Sequence, residues 1–150
     1  MSIMGILSRL FSSLPTKNYT DEKLGIFALA YRKGDKHLWT NQAATPTLTI
    51  AGTADQPFVS HLEFLYAYQD CVNALDDAIT EKFKKEFHNA DLDVFFLSWQ
   101  ERFIIMEVTI VLLVEQTAYW NITFEDKESP YYHFTLFIEG NTLTDFSIDS

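Results

Sequence analysis

Eight apolar residues, Phe58, Leu62, Leu65, Val72, Leu75, Ile79, Phe83 and Phe87, recur at spacings of three, four or seven. That repeat is one apolar stripe on an α-helix. The opposite face carries Glu63, Asp70, Asn73, Asp77, Glu81, Lys84 and Lys85. A helix of this kind has to bury its stripe against another layer. Asp55 or Gln56 can cap its start, with Pro57 in the first turn. Unbroken to His88 it would run about 47 Å. A compact domain of this length is only about 38 Å across. The spacing therefore predicts a kink, a break or an overhang near Asn73 to Asp77.

The partner layer is read from the flanking segments. Leu24–Tyr31 reads as a strand, and Lys33-Gly34-Asp35-Lys36 as a turn. His37–Thr40 and the β-branched Thr47–Ile50 complete an N-terminal meander. Leu92–Arg102 suits a short helix or a strand. Phe103–Val114 is a β-branched run expected to form a central strand with both faces covered over part of its length. After it, Tyr119–Glu125 and Tyr132–Glu139 alternate, with Trp120, Ile122, Phe124, Phe134, Leu136 and Ile138 on one face. Leu143–Ile148 closes a C-terminal meander. A three-residue Gly140-Asn141-Thr142 loop would pair Leu136 with Phe146 and Phe134 with Ile148, keeping that face apolar. A two-residue Gly140-Asn141 loop would pair Ile138 with Leu143 and Leu136 with Asp145, placing a carboxylate on it, so the three-residue loop is expected. The expected fold is a single α+β domain over residues 1–150: an antiparallel, twisted sheet of two meanders with one long amphipathic helix packed on one face.

Charge is unevenly placed. The chain carries a formal net charge of −10. Residues 91–150 hold eleven acids against Arg102 and Lys127, so nearly all the excess lies there. Nucleic acid and anionic membranes are disfavoured as partners, because phosphate binding needs clustered Lys and Arg. On the chosen register the outward face of the C-terminal meander shows Tyr119, Asn121, Thr123, Glu125, His133, Thr135, Phe137, Glu139, Asp145 and Asp149. Exposed aromatics among carboxylates suit a docking surface for a basic protein: aromatics anchor and acids steer the encounter. The same acids would also keep a solvated sheet face soluble. The candidate partner-binding residues are Glu125, Phe137, Glu139, Asp145 and Asp149.

Catalytic and cofactor motifs are absent. The histidines, His37, His61, His88 and His133, form no metal-ligand spacing, and no phosphate-cradling glycine loop occurs. Asp77 and Glu81 share a helix face at i, i+4, a pair that could bind a metal or do acid/base work, but Lys84 and Lys85 lie nearby and no histidine joins them, so it reads as a solvated helix face. His61 and Glu63, two apart, do not face each other. No catalytic residue, metal ligand or cofactor is assigned. Cys71, the single cysteine, permits no intrachain disulfide and reads as a small buried hydrophobe in a reducing compartment. At the N-terminus, Ile3, Ile6, Leu7, Leu10, Phe11 and Leu14 share one helical face before Pro15, so residues 1–15 read as a short amphipathic helix docked on the domain or on a membrane surface. The longest apolar run, Phe103–Val114, contains Glu107 and is too short to span a bilayer. No transmembrane segment is expected.

The closing stretch Tyr119-Trp120-Asn121-Ile122-Thr123-Phe124-Glu125-Asp126 and the following Tyr131-Tyr132-His133-Phe134-Thr135-Leu136-Phe137-Ile138-Glu139-Gly140 resemble the C-terminal hairpins of small acidic bacterial proteins. Some of these are immunity proteins of polymorphic or contact-dependent toxin systems. Leu24-Gly25-Ile26-Phe27 followed by Trp39 is similar in layout. The resemblance implies a non-enzymatic, cytoplasmic inhibitor that neutralises a basic toxin, such as a nuclease, by occlusion. Two other readings stand beside it. One is a small-molecule-binding or enzymatic α+β domain with an aromatic pocket between helix and sheet, built from Tyr66, Tyr68, Trp99 and His133. The other is a homo-oligomer, in its simplest form a homodimer.

Overall fold

A computed structural model describes residues 17–92 and 95–149. The expected N-terminal helix, residues 1–15, lies outside the described residues. The fold is α+β: one open sheet of eight strands, mostly antiparallel, with two helices. The strands are β1 (Asn18–Asp21), β2 (Gly25–Lys33), β3 (Lys36–Asn41), β4 (Thr47–Gly52), β5 (Phe103–Val114), β6 (Thr117–Asp126), β7 (His133–Glu139) and β8 (Thr142–Asp149). Their spatial order is their order in the chain. The two expected meanders are thus one continuous sheet.

Helices α1 (Val59–Ala74) and α2 (Asp76–Asn89) connect β4 to β5. They carry the chain back along the sheet, so β4 and β5 run parallel, with Leu48 beside Val108. A parallel pair requires such a crossover, since a tight turn reverses the strand. This is the departure from the fully antiparallel sheet expected from sequence. One long helix is also not what forms. Leu75 leaves the helical conformation (φ −98°, ψ 2°) between α1 and α2. Two helices of about 24 and 21 Å can each follow the sheet, where one straight rod would overhang it.

The stripe from sequence is buried at Leu62, Leu65, Val72, Leu75, Ile79, Phe83 and Phe87, in one core with Trp120, Ile122, Phe124, Phe134, Leu136 and Ile138. Phe58 departs from it: it is 43% exposed, and its ring stands edge-on to His61, which is buried instead. His61 Nδ1 accepts the N–H of Ala51 (3.3 Å), and Phe58 N–H donates to Ala51 O (3.0 Å). These two bonds tie the start of α1 to β4. Beyond it, Phe83 packs against Phe103, Phe124 and Phe146, while Phe87 packs against Phe96, Phe103, Phe134 and Phe146. Leu92–Arg102 resolves in part as a 3-10 turn, Trp99–Glu101. Trp99 is buried; its Nε1–H donates to Asp76 Oδ1 (3.1 Å) and its backbone N–H to the Thr80 hydroxyl (3.1 Å).

Two details of the sheet differ from the sequence reading. The β7–β8 turn is the two-residue Gly140-Asn141, with Glu139 opposite Thr142 and Ile138 opposite Leu143. A bulge at Thr144 then shifts the register, so Phe137 faces Asp145, Leu136 faces Phe146 and Phe134 faces Ile148. The extra residue expected in the loop sits in the strand, and Asp145 stays off the core face. In β5, bulges at Met106 and Val111 interrupt the pairing with β6. The helices cover the face of Val108 and Ile110. Leu112 (51%) and Val114 (45%), on the other face, are exposed, so the described helices cover β5 on one side only.

At the far end of β6, Asp126 is 3% exposed and accepts two bonds from Arg102, Nε to Oδ1 (3.0 Å) and Nη2 to Oδ2 (3.1 Å). Asp126→Ala is expected to cost about 3–5 kcal/mol, because it breaks a largely buried ion pair by removing one partner. Glu128→Gln, an exposed partner of the same arginine, should change stability by less than about 1 kcal/mol; urea unfolding compares the two. His61 gives a pH signature. Burial holds its pKa below the ordinary 6.5, so the unfolded chain binds a proton at higher pH than the folded one. Stability should therefore fall as pH drops through about 6.5 and level off below the folded-state value. Thermal melts of wild type and His61→Gln across this range check it: the variant should lose that part of the slope.

Candidate functional site

Strands β6, β7 and β8 project alternate residues away from the helices, and the register sets which of them become neighbours. Glu125 lies opposite His133, and His133 opposite Asp149. Asn121 lies opposite Phe137, and Phe137 opposite Asp145. Tyr119 lies opposite Glu139. The five candidates, Glu125, Phe137, Glu139, Asp145 and Asp149, are thereby brought onto one face of three adjacent strands. Phe137, Glu139, Asp145 and Asp149 are exposed, and Glu125 is partly so. From Phe103 to Asp149 the sequence holds one Lys or Arg, Lys127, in the turn after β6. Among the described residues the face therefore carries negative charge with no Lys or Arg of its own.

Local chemistry fixes some of these groups. Tyr119 donates its hydroxyl to Glu139 Oε1 (3.1 Å). That bond and the carboxylate's charge raise the Tyr119 pKa above the ordinary 10.0. Asp145 Oδ1 accepts the N–H of Phe146 (2.8 Å), and the Thr144 hydroxyl donates to Phe137 O (3.2 Å), so side chains brace the bulge. Thr123 and Thr135 hydroxyls meet across β6 and β7 (3.4 Å).

Sequence reasoning assigned nothing to Glu107. Its Oε1 accepts both the Thr49 (3.1 Å) and Thr109 (3.2 Å) hydroxyls at the parallel β4–β5 seam. Thr49 also meets Thr40 (3.2 Å). The signal was the polar Glu107-x-Thr109 alternation inside an apolar run, matching Thr47-x-Thr49 on β4. These hydroxyls bind Glu107 into the sheet, so its charge is less available than those on β6–β8.

No family model, no curated protein and no solved structure matches this chain. Its function must be argued from the geometry.

The aromatic pocket considered from sequence does not assemble. Trp99 packs on Phe124, on the helix side of the sheet, whereas His133 is on the opposite face beside Glu125 and Asp149. Tyr66 reaches β1, where its hydroxyl donates to Asp21 Oδ2. This contact raises the Tyr66 pKa to about 12. Asp21 is held below its usual range: burial opposes ionisation, but the Tyr66 hydroxyl and the N–H groups of Leu24 and Lys23 outweigh it. The Asp21 Oδ1 bonds to Lys23 N (2.9 Å) and Leu24 N (2.8 Å) close the β1–β2 turn, which gives the carboxylate a structural role. Cys71 is partly buried, and burial pushes its thiol pKa up, away from the reactive thiolate.

Glu139→Gln tests the charge on the outer face directly. Glutamine can still accept the Tyr119 hydrogen bond but carries no charge. The Tyr119 pKa is expected to fall toward 10.0, followed by the NMR shifts of its ring during a pH titration. An unchanged midpoint would mean the two groups do not meet in solution.

Proposed function

We propose that this protein is a non-enzymatic binding module whose β6–β8 outer face docks a basic protein. In its most concrete form it is a cytoplasmic immunity protein that neutralises a basic toxin, such as a nuclease. The observation that carries the reading is the gathering of Glu125, Glu139, Asp145 and Asp149 with exposed Phe137 on one face that holds no Lys or Arg among the described residues. Such a face can occupy a site shaped for nucleic-acid phosphates, and its negative potential steers a cationic partner before contact. Phe137 would supply the desolvated anchor at its centre. The resemblance of the two C-terminal hairpins to acidic immunity proteins points the same way: it implies a toxin domain as the partner and makes the gene immediately upstream the one to test.

The test is association of the full chain with the purified product of that neighbouring gene. Neutralising the four acids (Glu125→Gln, Glu139→Gln, Asp145→Asn, Asp149→Asn) should slow association at low salt by about 10-fold or more and flatten its salt dependence. Phe137→Ala should instead speed dissociation. Equal association rates for wild type and the four-fold variant, with both proteins folded, would rule the reading out.

A further inference from the structure

The sheet is open, and its two edges are unlike. β1 at one edge has four residues, ends in the Asp21-capped turn, and is preceded by Lys17. Short edge strands with nearby lysines resist pairing with another chain. β8 at the other edge has eight residues, Thr142–Asp149, with no Lys, Arg or Pro. Its bulge at Thr144 disturbs only the beginning. From Asp145 to Asp149 the strand runs in register with β7, and among the described residues no strand pairs with its outer side.

The two faces of this edge say what that strand would contain. On the helix side, Phe146 and Ile148 remain partly exposed even though Phe146 packs on Phe83, Phe87 and Phe134. Apolar residues on an added strand would finish covering them. On the opposite face stand Asp145, Ser147 and Asp149. Residues beside these should be cationic. A second copy of β8 in antiparallel pairing would crowd its own Asp145 and Asp149 against these same acids, and like charges across strands destabilise a pair.

We propose that β8 takes up an extended segment of the partner by strand addition, and that this segment alternates apolar with basic residues. The inference rests on the docking reading above and adds the mode of binding and the sequence pattern recognised. Backbone hydrogen bonds to β8 provide the affinity, and the alternation provides the selectivity. Asp145, which accepts the N–H of Phe146, would turn its carboxylate toward a cation of the incoming strand.

The probe is a synthetic peptide of alternating lysine and valine, Lys-Val-Lys-Val-Lys-Val-Lys, labelled for fluorescence anisotropy and added to the full chain. Strand addition expects three results. The peptide binds; the same peptide N-methylated at alternate backbone positions along one edge, in either of the two possible phasings, loses about 10-fold or more in affinity in one of them; and amide exchange slows in β8 but not in β1. Asp145→Asn with Asp149→Asn should weaken binding and reduce its salt dependence. If both methylated peptides bind as well as the parent while neutralising the acids weakens all three, strand addition is overturned and the acidic-face reading stands. If neutralising the acids changes nothing, the charge-based reading fails along with the basic pattern proposed here. If the parent peptide does not bind, or if the chain dimerises through β8 on a sizing column, the proposed occupant is wrong.

Discussion

Phe83 and Phe87, one turn apart on α2, hold the C-terminal half of the sheet in place. Between them they touch aromatic rings on β5, β6, β7 and β8. Edge-to-face ring pairs of this kind add about 0.5–1.5 kcal/mol each beyond the area they bury. The more important effect is geometric. Inward positions on four strands are committed to one helix, so the alternate positions must point the other way. Glu125, Phe137, Glu139, Asp145 and Asp149 are outward because Phe124, Leu136, Phe134, Phe146 and Ile148 are inward. The core thus determines which residues can meet a partner, although it shares none of them.

The elements most readable from sequence were those in which a single period dominates. Trp120, Ile122 and Phe124 alternate cleanly with polar residues, and β6 forms where that pattern lies. The helical stripe was equally clear, and the break at Leu75 falls in the segment where helix length and domain size conflict. Elements became obscure where two signals competed. β1 is short and polar, so Asn18–Asp21 carries no alternation to detect. In β5 the bulges at Met106 and Val111 break the period of two, and outward residues there look as apolar as inward ones. The parallel β4–β5 pair depends on where the crossover delivers the chain, which neither strand's composition records.

The β7–β8 hairpin shows how a sound energetic argument can locate the wrong atom. Keeping Asp145 off the core face required one extra residue somewhere between Ile138 and Phe146. Sequence reasoning placed it in the turn. The structure places it in the strand, as the bulge at Thr144, whose hydroxyl bonds to Phe137 O. Both solutions give the same pairing of Leu136 with Phe146, so the hydrophobic pattern cannot choose between them. The residues of the candidate face could therefore be read from sequence, while the local twist that presents Asp145 could not.

The arrangement of the acids themselves fits the docking surface proposed above better than a purely solubilising one. Scattered charge would serve solubility equally well on any exposed strand or helix. Here the acids are concentrated on three strands, yet none stands opposite another acid: Glu125 is opposite His133, His133 opposite Asp149, Phe137 opposite Asp145, Tyr119 opposite Glu139. No acid of β6–β8 lies directly across from another, so the sheet avoids the worst like-charge pairs. Neighbouring strands are only about 5 Å apart, so acids at the same level of the face, Glu125 with Asp149 and Glu139 with Asp145, lie within about a screening length of each other at physiological salt and act together at the surface. Such a pattern limits the repulsion felt within the fold while preserving the attraction felt by something approaching from outside.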